Sequence, residues 1–185
     1  MTDVAKLDLG EKTIDLPIIT GSEGEKAVDI TKLRGETGFI TIDNGFMNTG
    51  SCKSGITFLN GEKGILRYRG YPIEQLAEKS SFLEVSYLLN FGALPSKTEL
   101  DFFDEKITSF ATLPEGITKM LDAFPKDAHP MDVLRTGCSM LGNLEMEKSF
   151  DEQQEVTDRM LACFPSIICY WYRFSHDGVR VEVET

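Results

Sequence analysis

The chain has 185 residues, 41% of them apolar, enough to build one globular domain or a domain with a small appendage. Its 19 basic and 30 acidic residues leave a net charge of −11 with no basic block, which argues against a nucleic-acid or other polyanionic partner. Four cysteines (Cys52, Cys138, Cys163, Cys169) form no CxxC pair, so neither a zinc site nor a disulfide framework is expected.

The N-terminus, MTDVAKLDLGEK, lacks the apolar stretch of a secretory signal and is too acidic for a transit peptide, so the expected location is cytoplasmic. Residues 1–66 read as a small β-rich region of short strands and turns. Residues 13–18 and 39–42 carry β-branched and aromatic side chains suited to strands, punctuated by Gly21, Gly24, Gly35, Gly38 and Asn44-Gly45. The Asn60-Gly61 pair between residues 56–59 and 65–66 predicts a hairpin with positive φ at the turn.

After Gly70 the apolar period becomes helical. Pro72 suits a first helical position, and Ser81 with Glu84 and Ser96 with Glu99 have the spacing of capping boxes, in which each side chain satisfies an amide of the first turn. Phe82, Val85, Leu88 and Leu89 form one stripe closed by Gly92, and Leu100, Phe103, Ile107 and Phe110 form another. Pro114 opens a helix carrying Ile117, Met120, Leu121 and Phe124. Pro130 opens a further one with Val133, Leu134 and Met140 or Leu141. A long helix over residues 151–174 contains Pro165, which predicts a kink near Ala162. Its apolar run, residues 160–174, is shorter than the ~20 residues of a membrane span, so no membrane partner is expected. Residues 179–183 alternate apolar and polar and read as extended.

Motifs of phosphate loops, nucleophile elbows, zinc proteases and calcium loops are missing from the sequence. Its two histidines have local explanations: His129 precedes a proline-led helix, and His176, beside Asp177, follows an aromatic helix, where a capping or buried polar role is favoured. Cys138, Cys163 and Cys169 read as small core fillers, and Cys52 as an ordinary surface thiol. Glu145, Glu147, Asp151 and Glu152 read as a solvated face. Arg69, between Tyr68 and Tyr71, fits either an anionic ligand or, preferentially, a structural ion pair.

Gly64, Ile65, Leu66, Tyr68, Arg69, Gly70, Tyr71, Ile73, Leu76, Ala77, Glu84 and Val85 together carry a resemblance to the citrate synthase family. Residues 1–105, including Gly45-Phe46, Thr49, Ser51-Cys52, Ser54 and Ile56-Thr57-Phe58, resemble the bacterial citrate synthases. From Leu113-Pro114 onward the likeness is closer to 2-methylcitrate synthases, through His129-Pro130-Met131-Asp132-Val133, Arg135-Thr136-Gly137, Tyr170-Trp171-Tyr172, Ser175-His176, Gly178, Arg180 and Glu184-Thr185. The resemblance implies a mainly α fold: large-domain helices as an incomplete bundle over residues 67–185, with the small domain and the catalytic C-terminal half absent. It also implies a homo-oligomer, dimeric or hexameric when complete, acting on small molecules.

Family chemistry, as the resemblance implies it, condenses acetyl-CoA with oxaloacetate to give citrate and CoA, or propionyl-CoA with oxaloacetate in the 2-methylcitrate branch. A carboxylate deprotonates the thioester methyl group, one histidine stabilises the enol and another polarises the oxaloacetate carbonyl. The motifs carrying those groups do not occur in this sequence, and His129-Pro130, preceded by Ala128 and followed by Met131-Asp132, matches a separate non-catalytic segment. No catalytic, cofactor-binding or metal residue is therefore assigned, and the chain alone is expected to be inactive. At the position where NADH-inhibited members carry an Arg-His-Thr trio stand Ser109, Phe110 and Ala111, and Cys163 replaces a lysine although Arg159 is kept, so NADH control of that kind is not expected. A non-catalytic subunit that joins a full-length partner remains an alternative reading.

Overall fold

A computed structural model of the chain describes residues 3–181. They divide into two compact units, Met1–Gly55 and Ile56–Thr185, so the hairpin that opens the second unit belongs with the helices.

The first unit is a three-stranded antiparallel sheet in the order β1 (Val4–Asp8), β2 (Thr13–Thr20), β3 (Lys26–Val28). A tight turn joins β1 to β2, with the Asp8 carboxylate accepting from the Gly10 amide at 2.9 Å and Gly10 at φ 87°, a conformation that costs glycine little. Along β2 successive side chains alternate between faces, which buries Ile14 and Leu16 against Leu33 of the short helix α1 (Leu33–Thr37). Residues 39–42, expected as a strand, form none and are exposed. Their β propensity has no ladder to join, and strand formation depends on a partner more than on local preference. Further along the same irregular stretch, the Asp43 carboxylate accepts from the Thr49 hydroxyl at 2.6 Å and the Asn48 amide at 2.8 Å, bonds that hold its pKa below the ordinary value.

The second unit opens with the antiparallel strands β4 (Thr57–Asn60), β5 (Ile65–Tyr68) and β6 (Tyr71–Pro72). Its hairpin differs from expectation in detail. Asn60 pairs with Ile65 across a four-residue loop, the Asn60 side chain accepts from the Lys63 amide at 2.9 Å, and the positive φ falls on Gly64 (64°) rather than at Asn60-Gly61. The longer loop moves the left-handed residue to its end.

Seven α-helices lie among the described residues, six of them in this unit: α2 (Ile73–Lys79), α3 (Phe82–Phe91), α4 (Lys97–Ser109), α5 (Glu115–Asp122), α6 (Pro130–Leu144) and α7 (Gln153–Asp177), the last preceded by a 3-10 turn at Phe150–Glu152. The fold is mainly α. Both capping boxes form as the sequence predicts, with Ser81 and Ser96 accepting from the amides of Glu84 and Glu99 while those carboxylates accept in return. Gly92 closes α3 at φ 91°. Of the predicted stripe of α3, Leu88 is fully buried and Val85 and Leu89 are partly buried, but Phe82 is 68% exposed, and Leu83 and Tyr87, outside that stripe, pack against the cluster around Phe103 of α4. The docking partner, unseen in the sequence of α3 itself, chooses which side turns inward.

α7 is the spine of the unit. Its Cys163, Ile167, Tyr170 and Trp171 pack with Ile117 and Leu121 of α5 and Val133 and Leu141 of α6, and its Ala162 joins Phe103 and Ile107 of α4. It runs as one helix through Pro165. Gly137 of α6 lets α7 approach closely, since a β-carbon there would lie 3.0 Å from Ile167 Cγ2. Residues 178–181 carry no regular structure, and the rest of the extended segment expected over 179–183 lies outside the described residues.

Candidate functional site

Each histidine is engaged by its own helix. His129 is the N-cap of α6, and its Nδ1 accepts from the Met131 amide at 3.2 Å while Pro130 supplies the first helical residue, which needs no amide partner. His176 lies in the last turn of α7. Its Nδ1 lies 3.1 Å from the Tyr172 carbonyl, to which a protonated Nδ1 donates, and its ring stacks on Tyr172 at 4.2 Å and meets Trp171 edge-on at 5.7 Å. Among the described residues neither imidazole is bonded to a carboxylate, the contact that would fix it as a general base.

Arg69, at φ 50°, donates from Nη2 to the Leu89 carbonyl at 2.7 Å, tying the strand pair β5–β6 to the last turn of α3, whose carbonyls attract a cation. Of the cysteines expected in the core, only Cys163 is buried. Its thiol donates to the Phe110 carbonyl at 3.4 Å, and burial raises its pKa above the ordinary value. Cys138 is half-buried and Cys169 exposed, because the helical period that buries Ile167, Tyr170 and Trp171 turns residue 169 to the opposite side of α7.

The carboxylates expected as a solvated face are partly engaged. Glu145 forms an ion pair with Arg159, whose guanidinium also lies 5.2 Å above the Phe110 ring. Glu152 accepts from the Lys148 amide at 2.9 Å and fixes the loop after α6. Around the former trio position, the Ala111 carbonyl accepts from Ser166 Oγ at 2.9 Å and the Ser109 hydroxyl donates to the Lys106 carbonyl at 2.7 Å. Arg159 is thus held by protein groups on two sides.

Sequence reasoning missed one charged cluster. Asp158 is fully buried on the inner face of α7, where it receives Lys106 Nζ at 2.6 Å and Gln154 Nε2 at 2.9 Å. A carboxylate within the apolar period of α7 was the available signal, but its partner stands 52 residues away. Tyr170 similarly donates to Asp122 at 3.0 Å, and Asp122 also pairs with Arg180.

Two concavities accompany these clusters. A cavity of about 540 Å³ runs between the C-terminal end of α6, the loop after it and the first half of α7. A smaller one of about 370 Å³ is bordered by Thr112, Ser166, Tyr170 and Arg180. Among the described residues no group of three or more His, Cys, Asp or Glu side chains could hold a metal ion, and no helix is long and apolar enough to cross a membrane.

Comparison with known proteins gives this framework a family. Residues 45–185 match the family model described as Citrate synthase, C-terminal domain. The chain is 57% identical over 120 residues to 2-methylcitrate synthase of Shewanella oneidensis, covering 65% of this chain and 32% of that protein. It is 42% identical over 177 residues to Citrate synthase 1 of Mycobacterium tuberculosis, covering 94% of this chain and 41% of that protein. The crystal structure of citrate synthase from Thermotoga maritima superposes with a TM-score of 0.68 at 34% identity, over 78% of this chain and 38% of that one. The matches therefore span 32–41% of the length of these relatives, and the chain belongs to the citrate synthase family.

Proposed function

We propose that this chain is the N-terminal portion of a citrate synthase, contributing part of the helical large domain (residues 67–185) and its β-rich N-terminal region (residues 1–66). In complete form such an enzyme condenses acetyl-CoA with oxaloacetate to give citrate and CoA, in the cytoplasm and as a homo-oligomer. The observation that carries the reading is the near-complete alignment of this chain with less than half of a citrate synthase at 42% identity. Its own residues supply scaffold rather than chemistry: the helical core seats α7, the His129 ring caps α6, and Arg69 fastens the strands to α3. We assign it no catalytic residue and no bound cofactor; the acyl-CoA is a substrate of the complete enzyme. NADH control through Arg159 is disfavoured because Glu145 and Phe110 already hold that cation.

A second reading is 2-methylcitrate synthase, with propionyl-CoA as acyl donor, favoured by the 57% identity to the Shewanella protein. A non-catalytic subunit pairing with a full-length partner is the third, supported by exposed aromatic side chains such as Phe82 and Phe102 on the helical unit. One experiment separates the three. The chain is assayed for oxaloacetate-dependent thiol release from acetyl-CoA and propionyl-CoA, alone, fused ahead of the remaining portion of each relative, and mixed with a full-length relative. Inactivity alone and turnover in a fusion support the first two readings, and the preferred thioester divides them. A soluble, folded fusion without turnover overturns the scaffold role, and turnover by the unfused chain overturns the absence of catalytic groups. Co-purification with the full-length relative selects the third.

A further inference from the structure

The chain leaves α7 at Gly178, which takes a left-handed conformation at φ 69° and donates its amide to the Phe174 carbonyl at 3.1 Å. Residues 178–181 carry no regular structure, and Val179 and Val181 are each 46% exposed, so apolar contact alone holds this segment weakly. Arg180 ties it down by charge. Its guanidinium pairs with the Asp122 carboxylate at the end of α5 and lies 5.2 Å from the centre of the Phe174 ring. Asp122 is oriented for that role, because its Oδ1 accepts from the Tyr170 hydroxyl at 3.0 Å and leaves Oδ2 to Arg180. Arg180 and Val181 in turn line the smaller cavity, together with Thr118, Ser166 and Tyr170.

We propose that residues 178–181 are a latched strap: the Asp122–Arg180 pair pins the segment to α5, and release of that pair lifts the strap away and removes one wall of the smaller cavity. Three observations set this pair apart from an ordinary surface contact. It joins residues 58 apart, so it holds a chain segment and not merely two neighbours on one helix. Its carboxylate is fixed beforehand by Tyr170, and its cation has a second contact on the Phe174 ring, which lowers the cost of ordering the long arginine side chain. The Arg180 side chain is nevertheless 62% exposed, so the latch is weak enough to open while α5 and α7 stay folded. The inference stands independently of the acyl donor and of whether the chain turns over any substrate.

The test is limited trypsin digestion of the full 185-residue chain, followed by mass spectrometry at each cleavage site. Trypsin must take the Arg180 guanidinium into its own pocket, so it cuts after Arg180 only when that side chain has left Asp122, and the rate follows the open population. Asp122→Asn should speed this cut about fivefold, the upper range for an exposed ion pair, and Phe174→Leu about threefold through loss of the ring contact. Glu115→Gln, which removes another carboxylate of α5 bordering the same cavity, should leave it unchanged. Cleavage after Arg173, inside α7, reports opening of the helix and should stay at its basal rate in every variant. A Thr118→Cys variant then reads the cavity itself: its thiol, on the α5 side, should react with a small maleimide about threefold faster when Asp122→Asn is added. Equal cutting after Arg180 with and without Asp122→Asn, or an equal gain from Glu115→Gln, would overturn the latch. A parallel rise after Arg173 would overturn it too, since the end of α7 would then open as a whole. Unchanged labelling of Thr118→Cys would overturn the role of the strap as a cavity wall.

Discussion

Both units contain many apolar residues, and they reach very different interiors. Among the described residues of the first, only Ile14, Leu16 and Leu33 are buried, with Leu7 and Ile30 beside them, while Phe39, Ile40, Ile42, Phe46 and Met47 remain exposed. In the second, α4, α5 and α6 all converge on α7 and bury two clusters around it. Apolar content alone does not make a core; it has to recur on one face of elements that have something to pack against. Three strands and a five-residue helix offer one thin layer of contact, near the lower limit of what an isolated sheet can sustain. The helical unit gains from a period that keeps residues 163, 167, 170 and 171 on one side of a single long element.

The contrast can be broken most directly by amide hydrogen exchange under native conditions. Amides of Ile117, Val133 and Ile167 should exchange only through opening of the whole helical unit, whereas those of β1 and β2 open locally, giving protection lower by about a hundredfold or more. Equal protection of β2 and α7 would show that the small core is no weaker than the large one.

Next in size is the ion pair between the partly exposed Lys106 and the buried Asp158. Lys106→Met leaves the buried Asp158 carboxylate with Gln154 as its remaining side-chain partner; removing one member of a fully buried pair costs about 3–5 kcal/mol, an upper bound here because Lys106 itself is partly exposed. Trp171 is the only tryptophan and is buried in the helical core, so its emission follows this unit alone during urea unfolding. The variant should shift that transition strongly. Leu16→Ala, a cavity in the first unit, should leave it in place; a common shift would mean that the two units unfold together. The double variant Lys106→Met/Asp158→Leu should recover much of the loss, because no charge is then stranded.

A sharper probe uses two glycines of α6. Gly137→Ala would set a β-carbon 3.0 Å from Ile167 Cγ2 and 3.1 Å from its Cδ1, so the branched side chain or α7 itself must move. Overpacking of this kind costs about 1–3 kcal/mol, more than the ~1 kcal/mol gained in helix propensity. Gly142→Ala meets nothing within 4 Å and should stabilise by about 0.5–1 kcal/mol. Opposite signs in the Trp171 transition are expected, and stabilisation by both would refute the tight α6–α7 contact.

What the sequence shows and hides follows the range of each interaction. Both capping boxes, the Gly92 cap and the His129-Pro130 helix start are legible because every group involved lies within a few residues. The exposure of Phe82 at the start of α3, the missing strand at 39–42 and the exposure of Cys169 depend on what packs opposite, which local pattern does not contain. The Lys106–Asp158 pair, 52 residues apart, and the larger cavity, assembled when the loop after α6 folds against α7, are illegible for the same reason. Family resemblance carried the reading of the fold where pattern alone would have left a helical domain without a topology.

The smallest expected effect belongs to the capping boxes, and it carries a pH signature. Ser81→Ala and Ser96→Ala each remove the side-chain acceptor for a first-turn amide, a change that typically costs about 1 kcal/mol. In the intact boxes the Ser81 amide and hydroxyl hold the Glu84 carboxyl below its ordinary pKa, and the Ser96 hydroxyl and amide do the same for Glu99. A carboxyl with a lowered folded-state pKa binds its proton more readily in the unfolded chain. Its contribution is therefore complete above the unfolded value, about 4.3 for glutamate, and disappears as pH falls through the lower folded value. Glu84→Gln and Glu99→Gln should flatten the acid limb of stability in the helical unit while changing little at neutral pH, since both carboxylates lie at the surface. Asp43, similarly lowered by Thr49 and Asn48, lies in the first unit, so Asp43→Asn should leave the acid limb of the Trp171 transition unchanged. An acid limb that responds equally to Asp43→Asn and Glu84→Gln would show that the two units share one titration and one unfolding event.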